Sequence, residues 1–553
     1  MNKPRFETAD LSAANIGKIA ALFPQVITEA IDDEKSTPEK KVYKKAVNFE
    51  ALKILLGDGA CSGNEAYEFT WVGKKASSIE ANRPIRKTLR PCKEESRDWD
   101  TTQNLYIEGD NLEVLKLLQE SYLGKVKMIY IDPPYNTGND FVYRDKWAVD
   151  SEQWSEKIGE YDDETGNRLF RNTESNGRFH SDWCSMIYPR LLLARNLLSD
   201  NGVIFISIDD NEAAQLRKIC DEVFGEGNFV ATINWKGRGG RQDSKYYAII
   251  HEYVLCYARD ISNFEAGEEI KNSNNYLKFD KTKQRYYKTQ LLRKWGSNSR
   301  RDDRPNLFYP ITAPDGTELY PMLSANEEGC WRWGQSRMQQ ELAANNVEFI
   351  RSSNTWIAYE KIYAPQNGED TKKFTTWIDD IGNGTNVIKD IFKNVIFDYT
   401  KSPALLLRFL NMSNVKKNDI ILDFFSGSAT TAHAVMQLNI EDGGNRKFIM
   451  VQLPEPCEND SEAFKAGYKN ICEIGKERIR RAGNKIKEEA GLNAQNLDIG
   501  FRVFKVADSN MKDVYYGAGE YKQENLDFFI SNIKEDRTSL DLLYGCLLDW
   551  ALP

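Results

Sequence analysis

Two adjacent prolines, Pro133 and Pro134, close a six-residue apolar run, Val126–Ile131, and fix where the chain must stop being a strand. The run reads as a strand buried on both faces. Proline has no N–H, so the ladder cannot continue through the pair. Asp132 and Tyr135 are left together at the strand's carboxyl end, where open α/β sheets build their sites. The Pro133 carbonyl remains available as an acceptor. A carboxylate and a carbonyl beside a stacking ring suit a flat amino-aromatic group, such as an unpaired base. The same four residues also fit a plain strand-ending turn.

A second segment, Ile420–Ala432, reads as strand, tight small-residue turn and helix, with Asp423-Phe424-Phe425-Ser426-Gly427-Ser428-Ala429 at the bend. Small residues let a ligand approach the backbone, and the helix N-terminus offers N–H groups to a carboxylate or phosphate. Many strand-to-helix turns share this pattern.

With 553 residues the chain has room for several folding units, and 41% hydrophobic with 28% charged residues is a globular balance. No apolar run approaches the roughly 20 residues of a membrane helix, and Met1-Asn2-Lys3-Pro4-Arg5 opens into no apolar signal core. Nine cysteines without CxxC spacing and three histidines argue against a metal centre or a disulfide framework, and fit reduced thiols in a cytoplasmic protein. The net charge of −9 does not point to nucleic acid, but its distribution does. Residues 271–304 carry eleven Lys or Arg against three acids, interleaved with Tyr276, Phe279, Tyr286, Tyr287 and Trp295. Arg285, Arg293, Lys294, Arg300, Arg301 and Arg304 of this stretch are candidate DNA contacts, as are Lys236 and Arg238 in the basic loop Lys236–Arg241. A solvated basic face is the competing explanation.

Five segments follow from the patterning. Residues 1–65 form a leader with helical spacing over Ile16–Ile31 and a charged, loop-like stretch over Asp32–Lys45. Residues 74–100 are polar and predicted to wrap the core as irregular chain. Over 66–261, strands at Leu105–Ile107, Val126–Ile131, Val203–Ile208, 229–235 and 249–258 alternate with helices from Asn111 and Asp182, predicting an α/β, doubly wound sheet. Residues 262–395 break that alternation with short β elements and turns. Over 396–510 it resumes, with a strand at Lys447–Leu453, a long helix over Ser461–Ala490 and a last strand over Phe501–Val506. Residues 511–553 form a C-terminal segment.

Together the two motifs resemble the amino-group DNA methyltransferases. Asp132-Pro133-Pro134-Tyr135 resembles the block typical of enzymes that methylate adenine N6, and Phe425–Ala429 resembles their S-adenosylmethionine-binding turn. With the first block ahead of the second, the order resembles the permuted β class. Tyr67–Trp71, Asn104–Leu112, Ile129–Tyr143, Ser181–Leu191, Gly202–Glu212, His251–Tyr253 and Arg446–Glu455 resemble one subfamily, the modification (Mod) subunits of type III restriction-modification systems. The resemblance implies a Rossmann-like methyltransferase sheet in permuted order with an inserted α+β target-recognition region at 262–395. It implies S-adenosylmethionine as cofactor and direct displacement by the adenine amine without a covalent enzyme intermediate. The implied partners are duplex DNA with a flipped adenine, a second copy of the chain and a restriction (Res) subunit.

The resemblance also assigns roles. Asp132, Pro133, Pro134 and Tyr135 form the catalytic block, in which Asp132 and the Pro133 carbonyl accept from the amine and Tyr135 stacks on the base. Asp110 resembles the acid near the cofactor's adenine edge. Asp423, Phe425, Gly427 and Ser428 resemble the turn around its methionine moiety. Gln452 stands where many relatives place an acid for the ribose, with Glu455 close behind, and Lys401 resembles a basic residue leading into the helix before the turn. Two departures stand out. Ala429 replaces a usual glycine, at a cost if the turn needs positive φ, and Gly545–Pro553 resembles text from inside the family's C-terminal region, as in a truncated chain. Cytosine-N4 methylation and a DNA-binding specificity subunit without turnover remain open at this point.

Overall fold

The computed structural model describes residue 8 and residues 10–550, apart from 33–35, 38–39, 57–67, 139–140, 144–168, 173–175, 238–245, 272–275, 325, 353–354, 365–369, 380, 398–399 and 513–531. Arg238 lies outside the described residues. The chain forms two compact units, Met1–Gly267 with Thr375–Pro553, and Glu268–Phe374. Among the described residues no helix is long and apolar enough to cross a membrane.

The larger unit is built on a ten-stranded sheet. Its strands are β1 (Lys87–Arg97), β2 (Leu105–Glu108), β3 (Val126–Ile131), β4 (Leu198–Ile208), β5 (Phe229–Trp235), β6 (Glu252–Ala258), β7 (Trp377–Ile378), β8 (Ile420–Asp423), β9 (Lys447–Gln452) and β10 (Phe501–Asp508). They lie in the order β7-β5-β6-β4-β3-β8-β9-β2-β10-β1. The central pairs from β4 to β10 are parallel. Antiparallel pairing is confined to β6 with its two neighbours and to β1 at the far edge. The register places Met128 opposite Ile421 and Ile129 opposite Leu422. The two sequence motifs therefore end side by side.

Helices α1 (Asn111–Tyr122), α2 (Phe179–Leu197), α3 (Pro403–Met412), α4 (Thr430–Asp442) and α5 (Ile471–Ala490) cover the sheet. Leu115 and Leu118 of α1 and Trp183, Ile187 and Leu191 of α2 share a core with Ile129, Ile131, Ile204 and Ile206. Leu405 and Phe409 of α3, Val435 of α4 and Ile479 of α5 share the other core with Met128, Tyr130, Val203 and Phe205. From Met128 to Ile131 alternate residues thus feed opposite cores, so this stretch carries no polar face, while Lys127 is buried with its ammonium on the Asn201 carbonyl. After β3 the chain crosses through α2 to β4, and after β8 it crosses through α4 to β9 on the opposite side. The carboxyl ends of β3 and β8 flank a topological switch point, where sheets of this kind place ligands. This is the doubly wound α/β arrangement expected from the strand and helix pattern.

The smaller unit holds a four-stranded antiparallel sheet with strands Lys278–Asp280, Arg285–Leu291, Thr355–Tyr363 and Val347–Ser352 in that order. Leu292, Tyr309, Trp331, Trp333 and Met338 form its own core. The unit is narrower than the expected 262–395. Beyond residue 374 the chain is already back in the larger unit, where β7 pairs parallel with β5. A two-residue strand is too short to leave a periodic signal.

Other local expectations change for identifiable reasons. Residues 74–100 are regular: a helix, Lys74–Asn82, precedes β1, whose edge position leaves one side polar. In the leader, the helix Leu11–Leu22 ends before Pro24, and Ile27–Ile31 is a strand paired with Tyr43–Val47. The long helix predicted over 461–490 is broken. Gly467 adopts φ +94°, and Asn470 caps a fresh start by accepting from the Glu473 N–H at 3.0 Å.

Candidate active site

Asp132 begins where β3 loses its ladder. Its carboxylate is about a quarter exposed and holds two partners. The Tyr135 hydroxyl lies 2.9 Å from Oδ1, and Lys401 Nζ lies 3.1 Å from Oδ2. Lys401 comes from the segment before α3 and also donates to the Tyr135 hydroxyl at 2.9 Å. A second carboxylate completes the group. Glu252, at the start of β6, places Oε2 3.0 Å from the Tyr135 hydroxyl and 3.3 Å from Lys401 Nζ. The Lys401 ammonium sits 5.0 Å from the Tyr135 ring centre and 5.8 Å from that of Trp235. Two acids, one cation and one hydroxyl are thus packed together at the end of the sheet.

Burial raises the Asp132 carboxyl above its ordinary pKa, Lys401 opposes that, and Glu252 reinforces it. Burial acts to neutralise Lys401, but Asp132 and Glu252 outweigh it and hold the ammonium above its ordinary pKa. Burial, then Asp132 and Glu252, push the Tyr135 hydroxyl well up, so it stays protonated. With both carboxylates ionised the group carries one net negative charge.

The turn after Asp132 is held from behind. Trp183 Nε1 donates to the Pro134 carbonyl at 2.7 Å. The Pro133 carbonyl accepts no hydrogen bond among the described residues. Asn136 adopts φ +61° and donates to Glu212 Oε1 at 2.6 Å, and His180 Nδ1 meets the same oxygen at 2.7 Å. Glu212, fully buried after β4, therefore ties the end of the catalytic block to the first turn of α2.

At the end of β8, Asp423 shapes its own turn. Its Oδ1 accepts from the Phe425 N–H at 3.1 Å and its Oδ2 from the Thr431 hydroxyl at 2.6 Å. Burial lifts its pKa to about 7, against the pull of these two donors. Phe425 is buried. Gly427 takes φ +49°, and its N–H donates to Gln452 Oε1 at 2.8 Å. Gln452, predicted to meet a ribose, thus spends its carbonyl oxygen on the turn. A side chain at Gly475 of α5 would come within 3.2 Å of the Gly427 carbonyl, so glycine there lets α5 pass beneath the turn. Ala429 adopts φ +60°, the left-handed geometry that its usual glycine counterpart takes without cost.

Beneath the turn lies a residue that sequence reasoning did not single out. Arg478 of α5 is fully buried. Its Nη1 reaches the hydroxyls of Ser428 at 2.7 Å, Thr430 at 2.6 Å and Thr400 at 3.0 Å. Its Nε and Nη2 have no partner, and among the described residues no carboxylate pairs with it. Burial alone lowers its pKa to about 9. Nη1 thus sets a buried positive charge behind three hydroxyls at a helix N-terminus, a setting that favours an anion such as an amino-acid carboxylate. These residues fit the methionine end of S-adenosylmethionine.

The remaining candidates are placed as follows. Asp110 is the N-cap of α1, accepting from the Leu112 N–H at 2.8 Å. Lys401, expected near the cofactor turn, has its ammonium on Asp132, Tyr135 and Glu252, while its carbonyl lies 3.5 Å from the Thr430 hydroxyl. Lys236 is exposed just past β5. In the smaller unit Arg300 and Arg301 pair with Glu327 and Glu328 at 2.9 and 2.6 Å, and Arg285 donates to the Ala364 carbonyl. Arg293, Lys294 and Arg304 form no ion pair among the described residues. Glu252 belongs to the matched His251–Tyr253 stretch, but its sequence gives no sign that it meets Tyr135. That contact exists only once β6 has paired beside β4.

Comparison with known proteins follows the same lines. The family described as DNA methylase matches residues 126–482, from β3 to α5. The EcoPI Mod subunit of a type III restriction-modification enzyme from Escherichia phage P1 is 36% identical over 83% of this chain and 74% of its own length. The StyLTI Mod subunit from Salmonella typhimurium is 35% identical over 92% of this chain and 76% of its own. The EcoP15I Mod subunit from Escherichia coli is 33% identical over 84% and 74%. The chain belongs to the DNA methylase family and, within it, to the Mod subunits of type III restriction-modification enzymes.

Proposed function

We propose that this chain methylates adenine N6 at a specific sequence in duplex DNA, as the modification half of a type III system that also includes a Res subunit and a second copy of the chain. Bound S-adenosylmethionine would supply an electrophilic methyl group, and as the amine lone pair formed the new C–N bond the C–S electron pair would leave with sulfur and the positive charge would pass to N6. The residues of this chain position and compensate that charge. Asp132 and the Pro133 carbonyl accept from the two amine hydrogens, which fixes the direction of the lone pair. Pro133 has its carbonyl to spare, and Asp132 is held by Tyr135 and Lys401. With both carboxylates ionised, the Asp132, Glu252 and Lys401 group favours a cation developing beside it. The target amine lies inside the duplex stack, so the base is flipped outward, and Tyr135 offers a ring to stack on it. Arg478, Ser428 and Thr430 would hold the methionine carboxylate. The smaller unit chooses the DNA sequence.

The single observation that carries this reading is the Asp132 carboxylate, partly exposed and oriented by two partners beside the cofactor turn. The test is transfer of tritium from labelled S-adenosylmethionine to duplex DNA, followed by identification of the nucleoside. N6-methyldeoxyadenosine is expected. N4-methyldeoxycytidine would overturn the base assignment, and no label in DNA would mean a subunit without turnover.

A further inference from the structure

The amine that attacks the methyl group must lose a proton, and the structure shows where that proton can go. Asp132 must be ionised again before it can accept from another amine, so a proton that it takes needs an onward place. Behind Asp132 stands a second carboxylate. Glu252 is more buried than Asp132, and the two acids share one hydroxyl: Tyr135 Oη lies 2.9 Å from Asp132 Oδ1 and 3.0 Å from Glu252 Oε2. One hydroxyl proton cannot occupy both contacts, so the pair is a two-position switch for that proton. Lys401 donates to the same hydroxyl oxygen at 2.9 Å and pairs with both acids, so it stays in place whichever way the proton moves.

We propose that Glu252 holds the proton released by the methylated amine, receiving it from Asp132 through the Tyr135 hydroxyl. The inference rests on the adenine-N6 reading above. As the C–N bond forms, N6 carries two hydrogens, the methyl group and a positive charge. One N6–H bond breaks, its electron pair stays on nitrogen, and the proton passes to Asp132. The Tyr135 hydroxyl gives its own proton to Glu252 Oε2 and takes the one on Asp132 Oδ1. The product amine is neutral, Asp132 and Tyr135 are restored, Glu252 is a carboxylic acid, and Lys401 is still an ammonium. No oxidant or further reactant is needed. Glu252 is a positioning and proton-holding residue, since it acts only through Tyr135. The groups facing it include Asp132 and Tyr130 of the β3 region, Tyr135, and Lys401 from before α3, with His251 adjacent in sequence.

The test is single-turnover methylation of duplex DNA by the full chain with tritiated S-adenosylmethionine, from pH 6 to 9, for the wild type, Glu252→Gln, Glu252→Asp and Tyr135→Phe. Gln keeps the shape and the contact with Tyr135 but accepts no proton. The expected loss for Glu252→Gln at pH 7 is about 100-fold, the low end of what a positioned proton acceptor supplies. The gap narrows toward pH 9, where hydroxide takes the proton from Asp132. Glu252→Asp recovers to within about tenfold of wild type. Tyr135→Phe removes the shared hydroxyl, so combining it with Glu252→Gln costs little more than either alone. Cofactor affinity by equilibrium dialysis stays within about twofold throughout. A Glu252→Gln rate within twofold of wild type, a loss of equal size at every pH, or additive losses in the double variant would each overturn the proposal. Wild-type protein that makes no N6-methyladenine fails the adenine reading instead, so the two failures are distinct.

Discussion

Lys401 Nζ stands 3.1 Å from Asp132 Oδ2, joining the segment that leads into α3 to the end of β3. The cation lowers the cost of an ionised carboxylate in a buried setting and faces Glu252 as well. A lysine that a linear reading assigns to the cofactor is therefore a reason why Asp132 can act as an acceptor at neutral pH.

Lys401→Met is expected to lower methyl transfer by about 100-fold at pH 7, the scale of a misplaced reacting group. Without the ammonium, burial and Glu252 both push the Asp132 carboxyl further up, so less of it is ionised. Activity of the variant should therefore recover as pH rises, with its acidic limb shifted to higher pH than in the wild type. Rates from pH 6 to 9 at saturating cofactor measure this, and a parallel loss at all pH values would assign Lys401 a purely structural role.

Ala429 is a site where two effects compete. Its φ of +60° carries the left-handed penalty of about 1–2 kcal/mol for a residue with a Cβ. Glycine relieves that, but raises unfolded-state entropy by about 0.4–1 kcal/mol and removes a fully buried methyl group of similar worth. Ala429→Gly should thus leave stability within about 1 kcal/mol of wild type. Ala429→Val adds β-branching at the same φ and volume to a filled site, and should cost more than about 2 kcal/mol. Thermal unfolding of both variants decides whether the cofactor turn tolerates alanine in this way.

Much of this fold is legible because its central strands are buried on both faces. Val126–Ile131 and Val203–Ile208 read as apolar runs, and the following Asp132 and Asp209 mark their ends. Edge elements escape for the opposite reason: β1 keeps a polar side and β7 spans two residues. Within the site, local chemistry is readable in Asp132-Pro133-Pro134-Tyr135 and the Asp423–Ala429 turn. Glu252 and Arg478 are not, because each acquires its role from a neighbour far away in sequence. Arg478 on a helix full of Lys, Arg and Glu looks like one more solvated charge until α5 is laid beneath the turn. Gln452 and Asp110 show the reverse: polar residues at strand ends whose side chains hold the backbone of the turns.

Asp423 predicts a pH dependence of stability. Its folded pKa of about 7 lies above the ordinary 3.8, so the folded state keeps a proton that the unfolded chain releases. The stabilisation is fully present below about pH 4 and is lost as pH rises through 7, a change on the order of 4 kcal/mol for a raise of this size. Asp423→Asn retains an acceptor for the Phe425 N–H and has no proton to lose. The variant should gain on the wild type between pH 5 and pH 8, by unfolding midpoint without cofactor. If the difference between the two proteins is the same at both pH values, Asp423 does not carry the linkage.

Residues Glu268–Phe374 form their own compact unit with their own core, which makes the unit a candidate for exchange as a block. Within it the charges are unequal. Arg301 is committed to Glu328, whereas Arg293, Lys294 and Arg304 form no ion pair among the described residues. Removing a cation in direct phosphate contact lowers the salt slope of DNA binding by about one, so Lys294→Ala and Arg304→Ala should each do so and Arg301→Ala should do less. Replacing 268–374 by the equivalent unit of a related Mod subunit should move methylation to the donor's sequence and leave the single-turnover rate on that sequence near wild type. Sequencing of modified bases in DNA from cells expressing the exchanged chain reads the outcome. A folded exchange that still methylates the original sequence would place recognition in the larger unit, and the basic stretch at 271–304 would then be a solvated face.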